Sequence, residues 1–342
     1  MSASPTLLVV GFGDIGARTA KLALAAGWAC NALMRTPRPS EGVKRIPGDL
    51  DEPATLTRLL DSLSDFRNRS ENPAWRGQIS PLLQGNSGLY YPKKRWNMHR
   101  PDGFAADFPK VRQAASQGAV LLHCAPPSPH GTDDTRTAHL LAALDSAPPR
   151  RMVYISTSGV YGDCGGAWVD ETRPVHPGNA RSRRRADAET QLGAYASRHG
   201  IPLVILRVPG IYGAGRLPLE RLRRGEPVVC AQEAPWSNRI HQDDLARIAF
   251  RAAQDDAPPG IYNASDDVPS SMTDYLCCVA DAAGLPRPPS VSLDEARQTF
   301  SPGMLEYLNE SRRLDNRRMK EVLGVRLHYP ALAEGLARIF ST

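Results

Sequence analysis

The stretch "TLLVVGFGDIGARTAKLALAAGW", residues 6–28, narrows the choice of fold more than any other part of the chain. Its first five residues carry no charge and predict a strand buried on both faces. A glycine turn follows, then a helix of alanine and leucine spacing. Gly11, Gly13 and Gly16 stand in G-x-G-x-x-G order. The first glycine permits a tight turn, the second lets backbone approach a pyrophosphate, and the third lets the helix pack on the strand. The helix then opens at Asp14 and Ile15, where unpaired N–H groups and the positive end of the dipole suit phosphate. A structural glycine turn is the competing reading of these three residues.

"ACNALMR" predicts a second strand. At its end an acidic residue would read the 2′-hydroxyl of an adenosine ribose. Arg35 stands there instead, followed by Thr36 and Arg38. A guanidinium suits a 2′-phosphate, so the expected cofactor is NADP, with NAD as the alternative. A solvated basic turn is the other reading of these arginines. The third strand, "VKRIPGDL", ends in Asp49 and Leu50. These are either an adenine-side contact or the cap of a helix expected from "EPATLTRLLDSL". The fourth, "GAVLLHCAPPSP", presents Cys124, Ala125 and Pro126 at its tip.

Before that fourth strand, 54 residues (64–117) intervene with little periodicity. They hold nine lysines and arginines against four acids, a net +5 of the whole chain's +6. The basicity therefore belongs to one segment and not to the fold. Trp75, Tyr90, Tyr91, Trp96, Phe104 and Phe108 interleave with it, a pattern that would suit an anionic polymer. The segment carries no nucleic-acid recognition motif, so a surface insertion is favoured and a nucleic-acid partner is disfavoured.

"RRMVYISTSGVYGD" predicts a fifth strand with a polar tip, and "IPLVILRVPGIYG" a sixth with Arg207, Pro209 and Gly210. "SNRIHQDDLARIAFRAA" is a helix entered through His241 and Asp244, "GIYNASDD" a last short strand, and the remainder mainly helical. Strands alternating with helices predict an α/β fold with a parallel, doubly wound sheet. No apolar run reaches the roughly 18 residues a membrane span needs. The first residues lack the pattern of a cleaved leader, which points to the cytoplasm. The six cysteines form no C-x-x-C pair, so free thiols and no metal site are expected. Cys277 and Cys278, side by side in a helical pattern, read as packing residues.

In the order GFGDIG, GDL, HCAPP, STSGVYGD, RVPGIYG and IHQDD, the chain resembles the extended short-chain dehydrogenase/reductase superfamily, the group of the NAD-dependent epimerase/dehydratase family. The resemblance covers nearly all of the chain outside 64–117. It implies a Rossmann-type NAD(P)-binding domain over 1–63, 118–211 and 237–263. It implies a small, mainly helical substrate-side lobe over 212–236 and 264–342. The cofactor contacts it implies fall on Gly11, Gly13, Asp14, Ile15, Gly16, Arg35, Asp49, Leu50, Cys124, Ala125, Pro126, Arg185, Pro209 and Gly210. A small-molecule substrate and a homodimer are the partners it implies.

The resemblance also implies a Ser/Thr–Tyr–Lys centre, and here the chain departs from the pattern. Thr157 takes the Ser/Thr position. Ser158 and Gly159 stand where sugar dehydratases keep an Asp–Glu pair, which argues against dehydration of that type. Aligning "ADAE" puts Arg181 at the tyrosine and Arg185 at the lysine position. Arg185 keeps the hydrogen bonds a ribose needs, whereas Arg181 stays protonated and cannot relay a proton. Arg183 and Arg184 read as a solvated helix face beside Asp187 and Glu189. Among other acids and bases, Tyr90 with Lys94 matches the spacing but precedes the fifth strand, and Tyr195 with His199 lies too far along its helix. Tyr161, Asp163, Cys164, His176 and Tyr212 remain candidates. His241 reads more naturally as part of a helix cap. The sequence thus predicts an atypical NADP-binding member, acting as an oxidoreductase or epimerase-like enzyme on a hydroxylated or sugar-like small molecule. Its alternative is an inactive NADP-binding sensor or regulatory protein.

Overall fold

A computed structural model describes residues 4–36, 40–56, 59 and 118–341. β1 (Thr6–Val10) is buried along its whole length, as an uncharged run in a parallel sheet must be. α1 (Asp14–Ala25), β2 (Ala29–Met34), β3 (Val43–Pro47), β4 (Val120–His123), α2 (Thr135–Leu144) and β5 (Arg151–Thr157) continue the alternation. α3 (Ala180–His199), β6 (Leu203–Val208), α4 (Gln242–Ala253) and β7 (Gly260–Asn263) complete it. The seven strands form one sheet in the order β7-β6-β5-β4-β1-β2-β3. β1 pairs in parallel with β2 and β4, β2 with β3, and β4 with β5. The order reverses between β1 and β4, the place where open sheets of this kind bind their ligands.

By internal contact the chain forms two compact units. The first comprises Met1–Tyr154, Asp187–Ile205 and Ala252–Gly260, the second Ile155–Ala186, Leu206–Arg251 and Ile261–Thr342. In the first, Leu7, Leu8, Leu121, Leu122, Leu140 and Leu144 are fully buried. Arg151 is buried too, and its guanidinium donates to the carbonyls of Ala252, Asp255 and Ala257. A fixed fork of donors suits the carbonyls left over where a helix ends. The Tyr195 hydroxyl donates to Leu144 O at 2.9 Å, and burial pushes its phenol up. Tyr195 is therefore a packing residue.

In the second unit, Tyr212, Leu222, Val228, Leu276, Val279 and Leu336 share a core. α5 (Met272–Ala282) opens with a reciprocal Ser271–Asp274 cap, and α6 (Leu332–Phe340) follows near the end of the chain. Asp244, at the start of α4, accepts from the backbone N–H groups of His328 and Tyr329 and from Arg247. Burial pushes the Asp266 carboxyl up to about 8, against the pull of Arg239.

One expectation changes and others fall on residues not described. The segment after Asp49 opens with a short 3-10 turn, Pro53–Leu56; residues 57, 58 and 60–63 of the expected helix lie outside the described residues. Arg38 and the insertion 64–117, with its Tyr90 and Lys94, also lie outside them. Cys278 is exposed on α5, so packing does not explain it, while Cys277 is half-buried.

Candidate functional site

The first unit assembles the glycine turn. Gly11 has φ 86°, and a Cβ built on it would lie 2.3 Å from the Ala125 nitrogen. The tip of β4 presses on it there, with the Cys124 N–H donating to Val10 O at 2.7 Å. No L side chain fits that φ and that gap together. A Cβ on Gly16 would meet Gly11 O and Val9 Cγ1, each at 2.9 Å, which is how α1 comes so close to β1. Gly13 differs, because nothing lies within 4 Å of where its Cβ would be. It stands at the start of α1 with no side chain capping the helix. The residues therefore fit a pyrophosphate: a tight turn, an open approach and uncapped N–H groups. Asp14 lies in the first helical turn, paired with Arg18 at 2.8 Å, and Ile15 is buried.

At the end of β2, Arg35 is exposed and its Nη1 lies 3.8 Å from Asp49 Oδ2. An exposed pair at that distance holds little energy. The Asp49 carboxylate accepts from the Asp51 N–H at 3.0 Å, so it turns its own loop and caps no helix. Arg136 was missed by sequence reasoning. It grips both Asp51 oxygens, at 2.7 and 2.5 Å, and donates to Pro126 O and Pro127 O. It thereby ties the loop after β3 to the loop after β4. The Arg136 guanidinium also holds the Asp51 carboxyl below the usual carboxylate range. His139 adds a second tie through Leu50 O at 2.7 Å. An arginine one residue into a helix carries no local sign of a partner 85 residues away.

The second unit holds the polar tip of β5. Thr157 Oγ1 accepts from the Gly159 N–H at 3.2 Å, which leaves its own proton to donate elsewhere. A Cβ on Gly159 would come 2.6 Å from Ser182 Oγ, so α3 crosses close to the tip at the position that carries no side chain. Asn179 caps α3 by accepting from the Ser182 N–H at 2.8 Å. Arg185 is buried, and its Nη1 donates to Ile155 O at 2.8 Å. Arg181 is exposed. The expected solvated face is half right: Arg183 is exposed, but Arg184 is buried with 8% of its surface accessible. One turn of helix cannot keep positions 181, 184 and 185 all in solvent once its inner face packs on a strand.

Pro209 and Gly210 follow β6. The Gly210 N–H donates to Asn238 O, and a Cβ there would meet Arg239 Nη1 at 2.9 Å. Several candidate acids and bases prove structural. Tyr161 is buried and donates to Asn263 Oδ1 at 2.8 Å, while Asn263 itself donates to Val169 O and Asp315 O. Tyr212 is buried, and burial pushes its phenol up. His241 is buried between the Tyr212 and Tyr329 rings. Asp163 accepts from the Gly165 and Ser311 N–H groups, and burial pushes the Cys164 thiol up. His176 is exposed. Among the described residues no group of three or more His, Cys, Asp or Glu can hold a metal, and no helix is long and apolar enough to cross a membrane.

Residues 113–265 match the sequence model of the NAD dependent epimerase/dehydratase family. A Streptomyces sp protein, 3-diazoavenalumate denitrifying reductase, is 26% identical over 213 residues, covering 59% of this chain and 69% of that protein. A functionally unknown conserved protein from Silicibacter pomeroyi DSS has a similar structure, with a TM-score of 0.68, 28% identity and 99% of both chains covered. MoeE5 in complex with UDP-glucose and NAD has the same fold at 21% identity, with a TM-score of 0.66 over 98% of this chain and 97% of that one. Residues 113–265 thus resemble the NAD dependent epimerase/dehydratase family, and the chain carries a seven-stranded sheet with its glycine turn at β1.

Proposed function

We propose that the protein binds NADP(H) at the glycine turn and performs hydride chemistry on a hydroxylated or sugar-like small molecule, as an oxidoreductase or epimerase-like enzyme. The observation that carries this reading is the contrast within the turn: Gly11 is pressed against Ala125, while Gly13 opens onto free space at the start of α1. The open approach at Gly13 leaves room for a phosphate beside the start of α1. Arg35 would meet the 2′-phosphate, and Asp49 and Leu50 the adenosine side. The bound cofactor supplies or accepts the hydride. Thr157 would donate its hydroxyl proton to a substrate oxygen, and Arg185 would bind the nicotinamide ribose. Arg181 would take no part in proton transfer, because its guanidinium stays charged. The reductase among the relatives and the NAD held by MoeE5 support a nicotinamide cofactor.

A second reading, a cofactor-holding sensor without turnover, draws support from Arg185. One of its nitrogens is already committed to a strand carbonyl.

Calorimetric titration of NADPH and NADH into the parent and Arg35→Ala tests the cofactor. NADPH should bind about tenfold more tightly or better, and Arg35→Ala should remove the difference. Equal affinities in the parent would overturn the NADP assignment. A change in nicotinamide absorbance with a panel of keto-sugars, polyols and aldehydes separates enzyme from sensor.

A further inference from the structure

Ser182 stands one residue after the helix position where a tyrosine was expected, and its hydroxyl lies beside that of Thr157. Both residues belong to the second unit. The point where a Gly159 Cβ would stand is 2.6 Å from Ser182 Oγ and 3.4 Å from Thr157 Oγ1. Thr157 Oγ1 accepts from the Gly159 N–H, which commits the hydroxyl to donating its proton elsewhere. Neither hydroxyl donates to an acceptor among the described residues. Ser182 is nevertheless buried, with 5% of its surface accessible. A buried hydroxyl without a partner gives up the hydrogen bonds that water would supply, so its being held there calls for a reason.

A chain of polar contacts fixes its place. Asn179 Oδ1 accepts from the Ser182 N–H at 2.8 Å, and Asn179 Nδ2 donates to Glu310 Oε1 at 3.2 Å. Glu310 Oε2 accepts from Arg312 Nη1 at 2.8 Å, and the same Nη1 donates to Gly162 O at 2.7 Å. Glu310 and Arg312 are both largely buried. A segment near residue 311 thereby ties the first turn of α3 to the loop after the tip of β5. Two fixed donors without acceptors suit one oxygen that has two lone pairs and no proton of its own, which describes a carbonyl. The local charge points the same way. The first turn of α3 holds no acid, while Arg181, Arg183, Arg184 and Arg185 all fall within its first two turns. A helix N-terminus adds a partial positive charge of its own. Hydride addition to the carbonyl carbon moves an electron pair onto the oxygen, and donors fixed beforehand stabilise that charge without rearranging. A proton from water then completes the alcohol.

We propose that Ser182 and Thr157 together hold a carbonyl oxygen of the substrate, Ser182 supplying the donor that the missing tyrosine would have given. The part Ser182 plays in turnover rests on the oxidoreductase reading above; the binding of a carbonyl does not.

The probe is dihydroxyacetone, with glycerol as its counterpart without the carbonyl, each titrated into the full chain and followed by ligand-observed NMR. Dihydroxyacetone should bind the parent about tenfold more tightly than glycerol. Ser182→Ala and Thr157→Val should each cut that preference to about twofold or less. Ser182→Ala should keep the thermal midpoint of the parent, because its hydroxyl has no protein acceptor to lose. Gly159→Ala puts a Cβ at the point the two hydroxyls share and should abolish the preference; should it fail to fold, the two hydroxyl variants decide. The proposal is overturned if the parent does not bind dihydroxyacetone, if it binds glycerol as tightly, or if Ser182→Ala keeps the full preference. NADPH consumption with the panel of aldehydes and keto-sugars separates the two readings. On a substrate that turns over, Ser182→Ala should lower kcat about 10- to 100-fold with KM nearly unchanged, and an unaltered kcat would overturn the part given to Ser182. A parent that binds dihydroxyacetone but consumes no NADPH would sink the oxidoreductase reading and leave the hydroxyl pair standing.

Discussion

The glycine turn after β1 and the polar tip after β5 both follow strands of one parallel sheet, yet different forces hold them. The turn is shaped by what its residues lack. Backbone of Ala125 fills the place of a Gly11 side chain, and backbone of Gly11 the place of a Gly16 side chain. The tip is shaped by side chains that enter the interior. Arg185 reaches Ile155 O, Tyr161 reaches Asn263, and Arg184 is buried beside them in sequence. Steric exclusion is short-ranged and leaves a spacing in the sequence. Buried hydrogen bonds depend on whichever distant segment supplies the partner. That difference explains why the first region reads as a motif and the second reads as a puzzle of four arginines.

The contrast can be broken most directly at Gly11. Gly11→Ala puts a Cβ on backbone at a positive φ, and should cost about 3 kcal/mol or the soluble fold itself. Gly13→Ala has open space to occupy, so it should stay within about 1 kcal/mol of the parent while weakening NADPH binding. Urea midpoints and cofactor titrations for both variants decide the matter; equal midpoints would end the claim that sterics hold the turn.

The second unit should show its dependence on buried polar groups through pH. The Asp266 carboxyl ionises near 4 when unfolded and near 8 when folded. The folded chain therefore holds the extra proton between those values, and the parent should lose stability as pH rises through that window. Asp266→Asn has no such proton. Relative to the parent it should gain about 2 kcal/mol or more between pH 5 and pH 8, read from urea midpoints at each pH. A constant difference between the two proteins across that range would show that Asp266 does not titrate there.

Arg185→Ala should cost about 1–3 kcal/mol, because it removes a buried charged donor from Ile155 O. Arg181→Ala should change stability by less than about 0.5 kcal/mol, as exposed positions usually do. Thermal unfolding of the pair would show equal losses if the two arginines were in fact alike. An effect between those two should come from Arg136→Ala in the first unit. It loses a partly exposed bidentate pair worth about 1 kcal/mol, and with it the tie between the loops after β3 and β4. NADPH affinity should fall with it. An unchanged affinity would mean that the two loops keep their places without the clamp.

How much could be read beforehand follows the same division. β1 and the glycine spacing are local patterns, and both stand where the periodicity puts them. The fifth strand, too, stands where its pattern puts it, with Thr157 at its end. The segment after Asp49 opens with a short 3-10 turn, in which the Thr55 hydroxyl donates to Glu52 O. Tyr161 and Tyr212 offered the right chemistry for a proton relay, but nothing local marks a phenol as buried. Arg136 carried no signal, since a clamp exists only when its partner arrives.

What the sequence by itself determined is the part that obeys local sterics and periodicity: a parallel α/β sheet and a tight glycine turn after its first strand. Only the tertiary structure decided which of the four arginines enter the interior and which tyrosines hold the fold. The reason is physical. Backbone conformation is set within a few residues, whereas the burial of a charge depends on what the rest of the chain brings to meet it.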